Sequence, residues 1–206
     1  MRVGDLLDAL GSDAPAPGGG AAAALAGALG AALVQMTANL TLGRPRLADV
    51  QEQARRIEAQ AGELRNRLQL LADADAEAYG GVSAAYRLAR ETDEQRQTRS
   101  AAIQVALAEA AGVPLQVADA CAAVLRVCQT AAPLLNAAVI SDVMVGAQLA
   151  HAGLESAAVN VEVNLASMTD AQVVEGLSSQ LAQARAGTAD LLAEVLATAS
   201  SRLPRR

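Results

Sequence analysis

Apolar residues recur in alternating steps of three and four along most of this chain, and that spacing predicts helices rather than strands. The most regular stretch runs from Leu47 to about Leu88. There Val50, Ala54, Ile57, Ala61, Leu64, Leu68 and Leu71 are followed by Ala78 and Val82. A short helix from about Arg2 to Leu10 precedes the turn-rich loop Gly11–Gly20, which cannot stay helical. A helix from about Gly20 to Leu40 places Ala21, Ala24, Gly27, Ala28 and Ala31 near one smooth face, suited to close packing on another helix of the same chain or of a partner. Gly43-Arg44-Pro45-Arg46 interrupts the pattern, and Gly80-Gly81 weakens the long helix near its end.

Thr92 with Gln95 forms a capping-box pattern opening a helix to Ala111. Gly112-Val113-Pro114 is expected to end or kink it, with a further helix over Leu115–Thr130. Pro133–Asn136 reads as a turn. Ser141 is a candidate cap for a helix reaching Leu165. Thr169 with Gln172 opens one last amphipathic helix carrying Val174, Leu177, Leu181, Leu191 and Val195. There is no sustained alternation, repeat or long linker. The expected architecture is all-α: one domain over residues 1–206, an antiparallel bundle of long helices.

Composition sharpens this picture. About half the residues are apolar (52%), yet Phe and Trp are absent and only Tyr79 and Tyr86 are aromatic. The core must therefore be Ala, Leu, Val and Ile, which favours closely approaching helices. There is no Lys, and the formal net charge is -6. Nucleic-acid binding is disfavoured, since no basic stripe or stacking aromatics stand out. A membrane-surface role lacks its basic amphipathic helix. The apolar run Ala21–Val34 is shorter than a bilayer span and mostly Ala and Gly, so it reads as a core helix. Asp5, Asp8 and Asp13 precede it where a secretory signal would carry cations. Cys121 and Cys128, on one predicted helix, lie about 10 Å apart, too far for a disulfide. They read as buried thiols of a reducing, cytoplasmic compartment.

The candidate chemistry starts at Asp75, which continues the apolar series after Leu68 and Leu71. The same spacing puts Asp73 and Glu77 on the flank or polar face. An inward carboxylate is costly unless paired, hydrogen-bonded or protonated, and burial raises its pKa toward a range useful for proton transfer. Spacing alone favours a structural carboxylate tied to an arginine or a helix N-terminus over a proton carrier. Ser141-Asp142 reads first as a helix cap. Asn160 and Asn164, four apart, share a helical face and could read a heterocycle or, more commonly, satisfy a loop. Pro17-Gly18-Gly19-Gly20 leads into a helix N-terminus able to hold an anion. Arg44 and Arg46 suit a carboxylate clamp or a solvated turn equally. His151 is the only histidine, and no zinc set or Ser-His or Cys-His pair is read.

Taken in order, several fragments resemble the folate cyclodeaminase/cyclohydrolase family, which includes the cyclodeaminase domain of formimidoyltransferase-cyclodeaminase. They are Ala16-Pro-Gly-Gly-Gly20, Leu40-Thr-Leu-Gly-Arg44, Asp73-Ala-Asp-Ala-Glu-Ala-Tyr79, Val113-Pro-Leu115, Ser141-Asp142 and Asn160-Val-Glu-Val-Asn-Leu165. After Gly43-Arg44 the family usually continues with basic residues and an aromatic; here Pro45-Arg46-Leu47 follows. The resemblance implies an all-helical homodimer, dimerising through helix packing, without metal or redox cofactor. It implies a catalytic aspartate in the Asp73–Tyr79 segment, and the helical spacing selects Asp75. It further implies Asp142 as a second catalytic candidate orienting a pterin with Asn160 and Asn164. Gly18, Gly19 and Tyr79 would line the site, and Arg44 and Arg46 would meet a glutamate tail. The activity so implied is methenyltetrahydrofolate cyclohydrolase. The alternatives are formimidoyltetrahydrofolate cyclodeaminase and a non-catalytic helical dimer.

Overall fold

A computed structural model describes residues 2–204. Seven α-helices follow one another among them: α1 Val3–Leu10, α2 Gly19–Asn39, α3 Gln51–Tyr86, α4 Asp93–Ala131, α5 Ile140–Leu165, α6 Ala171–Arg185 and α7 Thr188–Ser201. Short 3-10 turns span Pro45–Val50 and Ala137–Val139, and no strand occurs among the described residues. Helices α2 to α5 run alternately down and up as a four-helix bundle. The pairs α2–α5, α2–α3, α4–α5 and α3–α4 pack as neighbours, and α6 and α7 lie against α4 and α5.

The bundle closes tightly because its facing residues are small. A Cβ on Gly30 would collide with the Gly146 carbonyl, and one on Gly146 with that of Gly30, so α2 and α5 cross with backbones nearly touching. Ala21, Ala24, Gly27, Ala28 and Ala31 are all buried, as their shared face requires. Larger side chains fill the layers between: Ile57, Leu68, Leu125, Leu135, Ile140 and Leu154 are fully buried. Each contributes about 1.5–3 kcal/mol by leaving water.

The helices differ from expectation at four places. First, Gly112-Val113-Pro114 neither ends nor breaks the helix; α4 is continuous from Asp93 to Ala131 with Pro114 inside it. Neighbouring helices hold this segment on several sides, and the missing N–H costs less than losing that burial. Second, Val139 rather than Ser141 is the N-cap residue of α5, with no side-chain cap bond. Third, the Asp170 carboxylate, not Thr169, caps α6, accepting from the Gln172 and Val173 amides. Fourth, the final helix is two, split at Gly187, whose φ of 69° no helix accommodates. The Thr92–Gln95 capping box forms as expected. Cys121 and Cys128 are buried and unpaired, and burial pushes both thiols up to about 12.

Candidate active site

One end of the bundle is closed by a contact between α3 and the start of α2. The first amides of a helix have no partner within it and collect there as a positive end. Gly18 caps α2 without a side chain to serve them. Asp75, arriving from α3, does so instead: the Ala21 amide donates to its Oδ2 at 3.0 Å. Gly20 makes the approach possible, because a Cβ there would overlap the Asp75 carboxyl group.

Asp75 is half-buried, whereas Asp73 and Glu77 are exposed. The inward turn expected from the Leu68–Leu71 series is therefore the one adopted. Burial pushes the Asp75 carboxyl above its ordinary value of 3.8, and the Ala21 amide opposes that shift only in part. Its other oxygen, Oδ1, accepts no hydrogen bond among the described residues. The carboxylate is thus anchored through Oδ2, while Oδ1 lies against Gly20 without a hydrogen bond.

Asp75 also lines a cleft of about 310 Å3. Its walls come from the Pro15–Gly20 loop, from Ala78, Tyr79 and Val82 of α3, from Ala110 of α4 and from Asn160, Val163 and Asn164 of α5. Gly18, Gly19, Asp75, Tyr79, Asn160 and Asn164, all singled out in the sequence, therefore meet in one place. The amide donor of Asn160 bonds the Ser156 carbonyl at 2.8 Å. That of Asn164 bonds the Asn160 carbonyl at 2.9 Å and the Ala110 carbonyl at 3.4 Å. With their donors turned to backbone, the two side chains keep acceptor oxygens for a ligand that carries N–H groups.

Sequence reasoning missed Ala110, and Pro114 was the available signal for it. In an uninterrupted helix the residue 114 amide would donate to the Ala110 carbonyl. Proline has no such hydrogen. The released carbonyl lies at the cleft and receives Asn164.

Three other candidates lie elsewhere. Asn160 and Asp142 are both on α5, eighteen residues and so about 27 Å apart. Arg44 and Arg46 follow the far end of α2, with Arg44 donating from Nε to the Leu40 carbonyl at 2.5 Å. The fold therefore does not bring Asp142, Arg44 or Arg46 to Asp75 within one chain. Among the described residues, no three His, Cys, Asp or Glu side chains gather as metal ligands.

Residues 2–183 match the family described as formiminotransferase-cyclodeaminase. The chain is 42% identical over 169 residues to the methenyltetrahydrofolate cyclohydrolase of Methylorubrum extorquens, covering 82% of this chain and 81% of that protein. It is 35% identical over 161 residues to the formimidoyltransferase-cyclodeaminase of Rattus norvegicus, covering 78% of this chain but only 30% of the longer protein. Among solved structures, the formiminotetrahydrofolate cyclodeaminase of Thermotoga maritima superposes with a TM-score of 0.87 at 28% identity, covering 98% of this chain and 96% of that one. On the sequence match and the shared helical architecture together, this chain belongs to the formiminotransferase-cyclodeaminase family.

Proposed function

We propose that this protein is a folate one-carbon enzyme, a methenyltetrahydrofolate cyclohydrolase that opens the 5,10-methenyl bridge with water to give 10-formyltetrahydrofolate. The observation that carries the reading is the half-buried Asp75 carboxylate, held through one oxygen by the Ala21 amide and lining a cleft. The 42% identity to a cyclohydrolase of similar length favours this reaction over its alternative.

The bridge carbon of the substrate lies between N5 and N10 and is cationic. Ionised Asp75 favours that charge and takes a proton from the attacking water as the C–O bond forms. The neutral adduct then collapses. Asp75 returns the proton to N5 as the C–N5 bond breaks, and the adduct hydroxyl loses its own proton to become the formyl oxygen. One water enters and one proton leaves overall, so the reaction itself calls for no redox carrier. Asn160 and Asn164 accept from the pterin N–H groups, and Tyr79 offers its ring beside them. Such a protein works as one functional unit, in a reducing cytoplasm, and as a homodimer.

Cyclodeamination remains a second reading, supported by the Thermotoga maritima neighbour. There N10 would attack the formimino carbon and ammonia would leave, with Asp75 again carrying the proton. The test follows the loss of methenyltetrahydrofolate absorbance against the uncatalysed rate, with ammonia release from formiminotetrahydrofolate measured in parallel. Acceleration of the first supports the proposal. Acceleration of the second alone replaces it with the cyclodeaminase. Inertness toward both, with no folate bound, leaves a non-catalytic helical dimer.

A further inference from the structure

We propose that the tip of the α3–α4 hairpin, residues 82–109, is a lid over the Asp75 cleft, hinged at Gly80-Gly81 and at Ala110–Pro114 and latched by Gln104. The ligand it closes on rests on the folate reading above; the hinge does not.

The hairpin outruns the core of the bundle. The main core takes its last α3 residue at Ala72 and its first α4 residue at Val113. The tip has a small core of its own. Ala85, Ile103, Ala106 and Leu107 are buried together, with Val82, Ala102 and Met168 packed on them. Of these, Met168 alone comes from outside the hairpin. Polar ties bind the tip into a unit as well. The Thr92–Gln95 capping box closes its turn. Arg96 donates to the Arg90 and Glu91 carbonyls at 3.1 and 3.0 Å. Arg99 donates to the Tyr86 carbonyl and lies over the Tyr86 ring.

Between the two cores both helices are weak. A Cβ on Gly80 or Gly81 of α3, or on Gly112 of α4, would meet nothing within 4 Å, and none of the three has a positive φ. Neither packing nor backbone geometry therefore calls for glycine there, whereas each glycine loosens its helix. Two residues past Gly112, Pro114 leaves the Ala110 carbonyl without its helical N–H. Tyr79, Val82 and Ala110 all line the Asp75 cleft, so the two weak points lie at one level and flank the site. Asp75 stands on the body side of the hinge, fixed by the Ala21 amide. A swing of the tip moves Val82 and leaves the carboxylate in place.

The tip is held to the body lightly. The Gln104 side chain donates to the Ser167 carbonyl at 3.3 Å and accepts from the Thr169 amide at 2.7 Å, and both bonds are exposed. Beside them Gln104, Val105 and Ala108 of the tip and Met168, Asp170 and Val173 of the body line a gap of about 200 Å3. Exposed hydrogen bonds beside a gap exchange readily for bonds to water. The latched segment follows directly on Asn164, so Gln104 joins the α4 and α5 walls of the cleft.

Stiffening the hinge separates a lid from a merely weak helix. The double variant Gly80→Ala/Gly81→Ala adds two methyl groups in open space, so Tm should rise by about 2–4 °C per glycine. Even so, kcat should fall about 3–10-fold, because opening and closing then limit turnover. A stabilised variant with wild-type kcat overturns the lid.

The motion is read without folate. Burial pushes both native thiols up to about 12, so spin labels go to introduced cysteines alone. Labels at Glu94→Cys on the tip and Gln180→Cys on α6, in protein diluted with unlabelled chains, should give a broad distance distribution. Gly80→Ala/Gly81→Ala should narrow it, and Gln104→Ala should move it to longer distances. One narrow distance common to all three overturns the hinge, even in active enzyme. Labels that move as expected in protein inert toward folates remove the folate reading while the hinge stands.

Discussion

Both ends of α2 are tied to the rest of the bundle, but by different chemistry. At its C-terminal end the ties are neutral and complete. The Thr41 hydroxyl donates to the Thr37 carbonyl at 2.8 Å and accepts from the Asn136 amide at 3.0 Å. The Asn136 side chain donates to the Leu40 carbonyl at 3.3 Å and accepts from the Ala138 amide at 3.2 Å. The Thr41 and Asn136 side chains are buried, and their bonds to Leu40 and Ala138 are half-buried. At its N-terminal end one carboxylate does the tying, with one oxygen engaged, the other unbonded, and the residue lining a cleft. A neutral saturated network can only hold; a half-satisfied acid beside a cavity can hold and still exchange a proton. On the proposed reading, the first end serves structure and the second serves chemistry.

Substitutions sharpen that contrast, beginning with the largest effect. Asp75→Asn keeps an oxygen able to accept from Ala21, so helicity should persist. It removes the proton carrier, and kcat should fall about 10²–10⁴-fold. The same change at exposed Asp73 should alter kcat less than about twofold. Gly20→Ala forces a methyl group into the Asp75 carboxyl group. It should cost about 1–3 kcal/mol in urea denaturation and carry kcat down with it, since the carboxylate must move. Asn136→Ala tests the opposite end. The Leu40 carbonyl and Ala138 amide lose their partner in a half-buried setting, which should cost about 0.5–1.5 kcal/mol. The kcat of the folded fraction should not change, and a parallel loss of both would erase the distinction between the ends. Pro114→Ala should have the smallest effect. The restored amide closes on the Ala110 carbonyl and releases Asn164, so KM should rise a few-fold while the melting temperature holds or climbs.

The inward Asp75 was legible because a helix repeats every 3.6 residues and Leu68 and Leu71 fix which face is buried. Asn160 and Asn164 were legible for the same reason. Those patterns are local. The contact of Asp75 with the α2 N-terminus joins positions 54 residues apart in sequence. Spacing on α3 could foresee only that a helix N-terminus or an arginine was a suitable partner. Pro114 misled because local rules end a helix at proline, whereas the packing around α4 carries it through. The break at Gly187 was missed because Leu177, Leu181, Leu191 and Val195 keep helical spacing across it. The far placement of Arg44, Arg46 and Asp142 follows from the lengths of α2 and α5. No motif read residue by residue carries that dimension.

The pH dependence of Asp75 follows from the same burial. Its folded pKa lies above the unfolded value, so the folded state holds this proton more tightly. The stabilisation is complete below the unfolded pKa and is lost as pH rises through the folded one, and Asp75→Asn should remove that slope from the stability curve. Catalysis needs the ionised form, so kcat/KM should climb over the same interval. The most direct test is the carboxyl 13C titration of Asp75 in the free enzyme, set beside the pH profile of kcat/KM for methenyltetrahydrofolate. The account predicts one shared midpoint, above 3.8. A carboxyl that titrates at or below that value, or a rate that rises where Asp75 does not titrate, would contradict it.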